Sequence, residues 1–324
     1  MSELEFQNIS SNHIQTLELD LFICALGFES RALSIAVDIS ANCGSKIALG
    51  FNHNKAGCYA ENKGRLLELD FKVVDDLDDQ SFADVLRQET RRAMHSHFDA
   101  QRPLRVGVDV SCMNRFRIAA LVLQFKELLM LNSSNVEVFF VYSLAKYQAP
   151  PSVSARNEVV GPIHPRFAGW FTEPGRPLAI VAGLGYEEEK VVGATEYLQA
   201  SRIIAMFPVS PILDYESPVR SANDSLLSAI PSGDIVRYSV ADVRGTIASL
   251  SSVVRGLVET HNVVLLPLGP KLFTVASLFA FYFHRDSSVW RVSGGRRIQS
   301  RDVMASEHRF GVRVSAAAKQ ESLG

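Results

Sequence analysis

Four short turns hold most of the residues whose types and spacing could do chemistry. Ala25-Leu26-Gly27-Phe28-Glu29 and Gly183-Leu184-Gly185-Tyr186-Glu187 each follow an apolar run and precede an amphipathic stretch. Further on in each half, Ser111-Cys112-Met113-Asn114-Arg115 and Leu268-Gly269-Pro270-Lys271 repeat that arrangement. In open α/β sheets, ligands bind where parallel strands end and helices begin, because the first backbone N–H groups of a helix are unpaired and carry positive partial charge. Gly27, Gly185 and Gly269 either let a ligand approach the backbone or only permit tight turns. Arg31, Arg115, Lys190 and Lys271 are cations at predicted helix starts, with Arg117 nearby. There they oppose the helix dipole, and an anionic ligand compensates them. Their structural alternative is an ion pair with Glu29, Asp109, Glu187 or Glu188.

Asp109, Ser111 and Asn114 also have two readings. They cap the helix that begins near Arg115, each cap being worth about 1 kcal/mol, or they hydrogen-bond a ribose or phosphate. Glu29 and Glu187 recur at the same turn and are the best candidates for a general base. The plainer account is a carboxylate favoured by the dipole of the first helical turn. The first half's turns are denser in hydrogen-bonding groups than the second's, so Arg115 is expected to matter more to function than Lys271. Familiar signatures are missing: no GxxxxGK[ST], no GxGxxG after a strand, no HExxH and no GxSxG. The histidines are scattered and no CxxC pair exists, so no metal site, cofactor or disulfide framework is expected. Cys24 and Cys112 read as strand-like, Cys43 and Cys58 as turn-proximal, and all four as free thiols.

The elements that must position these turns follow from the pattern of apolar residues. Strands are predicted at 20–26, 46–51, 105–110 and 136–142, then at 178–182, 202–207, 235–238, 263–267 and 289–292. Helices are predicted between them at 30–39, 62–69, 81–95, 114–129, 187–198, 217–229, 243–259 and 271–284. Short apolar runs alternating with helical stretches make parallel sheets with covering helices. Between the halves lies a stretch with Pro150, Pro151, Pro162, Pro165, Pro174 and Pro177, which continues neither a helix nor a central strand. It reads as a connection that packs through Phe167, Trp170 and Phe171. The expectation is an α/β chain of two Rossmann-like domains, 1–150 and 177–324, joined by a linker over 151–176. A frayed tail from Arg309 onward ends it. The recurrence of both kinds of turn in the same order predicts internal duplication about a pseudo-two-fold, with Gly27 matching Gly185 and Cys112 matching Gly269.

At 324 residues, 47% hydrophobic and 21% charged, the chain has ample material for cores and is not a disordered sequence. A net charge of -2 argues against a generally basic nucleic-acid coat. The richest apolar stretch, Val263 to Phe283, is interrupted by Pro267, Pro270 and Lys271, short of the roughly 18 apolar residues a membrane span needs. The N-terminus lacks a signal-peptide layout. No membrane association and a cytoplasmic location are expected.

With these residues in view, VVLLPLGPKLFTVASLFAFYFHRDSSVWRV resembles the late strand–turn–helix–strand of CRISPR-associated Rossmann-fold (CARF) sensor domains, and IVRYSVADVRGTIASLSSVVRGLVETHN resembles the strand and long helix before it. VGVDVSCMNRFRIAALVL is similar to a more divergent copy, and two such units in one chain resemble SAVED domains. Gly269-Pro270-Lys271 departs from the Gly-Gly-Thr-Lys pattern by lacking the second Gly and the Thr. The resemblance implies a CARF-like sensor of a cyclic or linear oligonucleotide in prokaryotic antiviral defence. Gly269 and Lys271, the loop Gly185–Glu187 and, more distantly, Gly27–Arg31 and Ser111–Arg115 would contact this nucleotide-like anion. It further implies a separate effector protein as partner, and leaves open a homodimer. The alternatives are a nucleotide-processing hydrolase using Glu29 or Glu187, and a non-catalytic scaffold subunit.

Overall fold

The computed structural model describes residues 4–131, 135–149, 157–169, 173, 175–186, 190–293 and 301–317. They belong to two compact units. The first runs to Lys146 and takes the chain back from Ser300; the second spans Tyr147–Gln299.

The first unit begins with β1 (Leu4–Ile9), α1 (Ser11–Gln15), β2 (Leu19–Leu26) and α2 (Ser34–Ile39), the last preceded by a 3-10 turn at Ser30–Leu33. It continues through β3 (Cys43–Phe51), α3 (Tyr59–Glu68), β4 (Lys72–Leu77), α4 (Asp79–Ser96), β5 (Leu104–Asp109), α5 (Arg115–Leu131) and β6 (Val136–Ala145). The second unit holds β7 (Val159–Pro162), β8 (Leu178–Gly183), α6 (Lys190–Leu198), β9 (Arg202–Val209), α7 (Glu216–Ala222), α8 (Asp224–Ala229) and β10 (Ile235–Ser239). Then come α9 (Val243–Leu257), β11 (Asn262–Pro267), α10 (Lys271–Phe283) and β12 (Ser287–Ser293). Finally β13 (Ala305–Ala316) rejoins the first unit.

Among the described residues the first sheet has seven strands in the order β1-β13-β6-β5-β2-β3-β4, and the second has six in the order β10-β9-β8-β11-β12-β7. Strands β2 to β6 pair in parallel, as do β8 to β12. Counted from the first parallel strand of each unit, both sheets read third, second, first, fourth, fifth. In both, an antiparallel strand flanks the fifth: β13 beside β6 and β7 beside β12. Strands covered on both faces need continuous apolar runs. Phe22, Ile23, Cys24 and Leu26 in β2, and Val263 to Leu266 in β11, are all buried. Helix α9 buries Val243, Ile247, Leu250, Val254 and Leu257, one stripe at helical spacing, and Asp242 caps its first turn by accepting from Gly245 N at 2.8 Å. Helix α10 is apolar around its circumference and buried from Leu272 to Phe281.

Two expectations are corrected. The frayed tail is a strand: residues 309–316 lie in β13, where Phe310, Val312 and Val314 alternate inward. β13 pairs with both β1 and β6, so it belongs to the first unit and not to a second domain over 177–324. The linker also begins its structure earlier than expected. Val159–Pro162 forms β7 at the edge of the second sheet, where a proline is tolerated. Buried Phe167 packs on Phe281 at 5.0 Å and on Tyr282 at 5.6 Å between ring centroids. Trp170 and Phe171 lie outside the described residues. No helix of the described residues is long and apolar enough to cross a membrane.

Candidate functional site

In the first unit β2 and β5 are neighbours, and the strand order reverses between them. The turns after these strands therefore meet at the carboxyl edge of the sheet. A Cβ at Gly27 would lie 3.1 Å from Cys112 Cβ, so this glycine lets the two turns touch. Cys112 accordingly sits in the turn and not in a strand. Asn62 of α3, buried, donates Nδ2 to the carbonyls of Gly27 and Glu29, each at 2.9 Å, and pins the first turn from beneath.

The charges at these turns are largely matched within the fold. Arg31 Nε lies 2.5 Å from Glu29 Oε2, and Cys112 Sγ donates to the same oxygen at 3.7 Å. The Arg31 guanidinium stands 5.9 Å from the centre of the Tyr142 ring. Burial alone would lower its pKa, but Tyr142, Cys112 and Glu29 outweigh burial and hold it above the ordinary value. The returning C-terminal segment closes the turn: Ser30 N donates to Asp302 Oδ1 at 2.7 Å and Arg31 N to the Val303 carbonyl at 3.2 Å.

Asp109 ends β5 inside the protein, and its Oδ1 accepts from Ser111 N at 2.8 Å and Ser111 Oγ at 2.5 Å. Ser111 Oγ in turn accepts from Ser143 N at 2.8 Å; Ser143 Oγ meets Ser34 Oγ at 3.1 Å, and Arg309 Nε donates to Ser34 Oγ at 3.2 Å. This chain of polar groups ties β5, β6, α2 and β13 together. Burial pushes the Asp109 carboxyl up to about 6, against the hydrogen bonds of Ser111 and the charges of Arg31 and Arg309. Burial likewise raises the Cys24 thiol, with Asp109 and Cys112 adding to it.

Asn114 accepts from Arg117 N at 2.7 Å, the capping role its position offers. Arg115 is the first residue of α5 and partly exposed. Arg117, two residues on, faces elsewhere. It is wholly buried, and its Nη atoms donate to the carbonyls of Leu49 at 3.3 Å, Gly50 at 3.0 Å and Leu77 at 2.6 Å, where β3 and β4 end. Its guanidinium lies 3.7 Å from the centre of the Phe51 ring and 4.6 Å from that of Phe82. Burial brings its pKa down to about 10, although Asp79 and Tyr59 oppose this. Arg117 binds strand ends, not a ligand.

The second unit repeats the geometry with other residues. β8 and β11 are neighbours at the corresponding reversal. Gly269 has φ +69°, and a Cβ there would overlap the Leu184 carbonyl, so again a glycine admits the neighbouring turn. Buried Asn223 donates Nδ2 to the Gly185 carbonyl at 2.9 Å and to that of Val219 at 2.7 Å, the counterpart of Asn62. Lys271 opens α10 and Lys190 opens α6; the Lys190 carbonyl accepts from Asn157 Nδ2 at 3.2 Å. Glu187, with Glu188 and Glu189, lies outside the described residues. Tyr186 stacks on Tyr215, with centroids 5.5 Å apart and planes at 16°, and Tyr147 meets Tyr215 edge-on at 5.5 Å and 81°.

Asn62, Asn223, Ser143, Arg309, Tyr147 and Tyr215 are site residues that sequence reasoning missed. The two asparagines carried a signal: a poor helix former that returns in both halves beyond the next strand, 35 residues after Gly27 and 38 after Gly185. The others come from elements far along the chain and carried none. Neither protein-family models nor curated proteins include a match to this chain.

Proposed function

We propose that the chain binds a nucleotide-derived anion, a cyclic or linear oligonucleotide messenger, at the carboxyl edges of its sheets. It would signal through a separate effector in antiviral defence. The observation that carries this reading is the strand order. Both units reverse between their first and fourth parallel strands, and open α/β sheets take ligands in the crevice at that reversal. The candidate turns stand at the crevice of each unit: Gly27–Arg31 with Ser111–Arg115, and Gly185–Tyr186 with Gly269–Lys271. Arg115 and Lys271 occupy first positions of long helices, where backbone N–H groups add to an anion's attraction. Arg31 is buried against Glu29 while Arg115 is partly exposed at the start of α5, so Arg115 is the cation of the first unit expected to meet ligand.

Titration calorimetry with cyclic and linear dinucleotides, on the wild type and on Arg115→Ala and Lys271→Ala, tests the reading. Binding that each change weakens is expected, with the larger loss for Arg115→Ala and unchanged thermal unfolding in both. Binding indifferent to both changes, or none at all, overturns it. Turnover of the nucleotides in the same mixtures would move the protein to the hydrolases, and Glu29→Gln would then be the first variant to examine.

A further inference from the structure

Three tyrosines gather at the carboxyl edge of the second sheet from separate stretches of chain. Tyr186 follows β8, Tyr215 follows β9, and Tyr147 opens the unit. The strands β8 and β9 are parallel neighbours, so the turns after them lie on one edge. Tyr186 and Tyr215 lie nearly parallel, and Tyr147 abuts Tyr215 with its ring at a right angle. All three are half-buried, unlike the phenylalanines of this unit's core, such as Phe207 and Phe273, which are closed off from solvent. The carboxylate next to Tyr215, Glu216, is held by Arg237 at 3.0 Å and Arg220 at 3.5 Å, which reduces repulsion of an anion arriving at these rings. Beneath them, Asn223 fixes the Gly185 carbonyl and thereby the turn that carries Tyr186.

We propose that Tyr186 and Tyr215, with Tyr147 as a side wall, are the subsite for a nucleobase, which stacks on the tyrosine pair at the edge of the second sheet. The inference rests on the nucleotide reading above and adds which end of the ligand this unit holds and with which residues. Aromatic rings accept any base, because every base has a π-face, so the subsite selects for the presence of a base more than for its identity. Each phenol contributes through its ring, so phenylalanine should replace it with little change.

Binding of cyclic and linear dinucleotides of adenine, guanine and uracil is compared with that of ribose 5-phosphate, which has no base, on the full chain. The expected result is binding of the dinucleotides and at least tenfold weaker binding of ribose 5-phosphate. Tyr215→Ala and Tyr186→Ala should each weaken the dinucleotides about tenfold, while Tyr215→Phe and Tyr186→Phe stay within about threefold. Saturation-transfer NMR on the wild type needs no variant: base protons should receive more magnetisation than ribose protons. Dinucleotides that bind equally to wild type and alanine variants, or that show stronger transfer at the ribose, overturn the base subsite and leave the nucleotide reading standing. Ribose 5-phosphate binding as tightly as the dinucleotides does the same. Failure of every probe to bind removes the nucleotide reading and this subsite with it.

Discussion

Asp109 and Arg117 are buried charges of opposite sign with different supports, and each yields a test. The Asp109 carboxyl titrates near 6 in the folded chain, above its value of 3.8 in the absence of burial. Between those values the folded state binds a proton that the unfolded state has released. The group's contribution to stability is therefore present at low pH and lost as pH rises through about 4 to 6. Asp109→Asn keeps an acceptor for Ser111 and removes the charge. It should be more stable than wild type at pH 7, by on the order of 1–3 kcal/mol, and should lose that advantage at pH 4. Urea denaturation at both pH values measures this; parallel pH slopes for the two proteins would show an Asp109 that titrates as in the unfolded chain. Arg117→Ala takes a buried donor from the carbonyls of Leu49, Gly50 and Leu77, of which Leu77 keeps Asn52 N at 3.2 Å; a buried acceptor left unpaired costs about 1–3 kcal/mol. A fall in thermal midpoint much larger than that of Arg115→Ala is expected, and equal falls would count against the different surroundings of these neighbours. At this scale the sequence was informative where a polar residue lay within a few positions of a strand end, as with Glu29, Asp109, Ser111 and Asn114. It did not separate Arg115 from Arg117, because direction around a helix start depends on partners at Leu49, Gly50 and Leu77 that lie far away along the chain.

Elements were legible in proportion to their burial. The central strands β2, β5, β6, β8, β9 and β11 are apolar runs because helices or loops cover both faces, and their limits match expectation within a few residues. Of the edge strands, β10 was legible to within a residue, and β1, β4 and β7 were not. β1 alternates exposed and covered residues, β4 carries Asp75 and Asp76 and shifts register against β3, and β7 ends on a proline. Each lacks the continuous apolar signature because one face or one edge meets solvent. The turns between elements make a sharper test than the elements do. Gly269→Ala forces a side chain into the left-handed region and against the Leu184 carbonyl, and should destabilise the chain by about 1–3 kcal/mol. Gly256→Ala, inside α9 with no atom near the added Cβ, should instead stabilise by about 0.5–1 kcal/mol. Thermal unfolding of both variants checks the pair, and a tolerated Gly269→Ala would show that the two turns of the second unit can move apart.

At the scale of the molecule, the second unit is inserted into the first, between β6 and β13. The same strand order in both units was foreshadowed by the recurring turns. The return of the chain was not, because FGVRVS is too short to announce which sheet it joins. Deleting residues 301–324 removes Phe310, Val312 and Val314 from the first core and leaves β1 without its partner. At roughly 1.5–3 kcal/mol per buried side chain, that loss rivals the whole stability of a domain. Hydrogen exchange on the truncated chain should retain protection in β8, β9 and β11 and lose it in β2, β5 and β6; protection retained in both sheets would contradict the contribution assigned to β13. The insertion also orders events on the ribosome. Translation delivers every strand of the inner unit before β13 emerges, so the part nearer the C-terminus completes its sheet while the part begun first is still waiting. At 5–20 residues per second, synthesis of the inserted stretch lasts roughly 8–30 s. Throughout that interval the backbone edge of β6 and the pairing face of β1 are without their partner, a window in which a nascent-chain chaperone has something to bind.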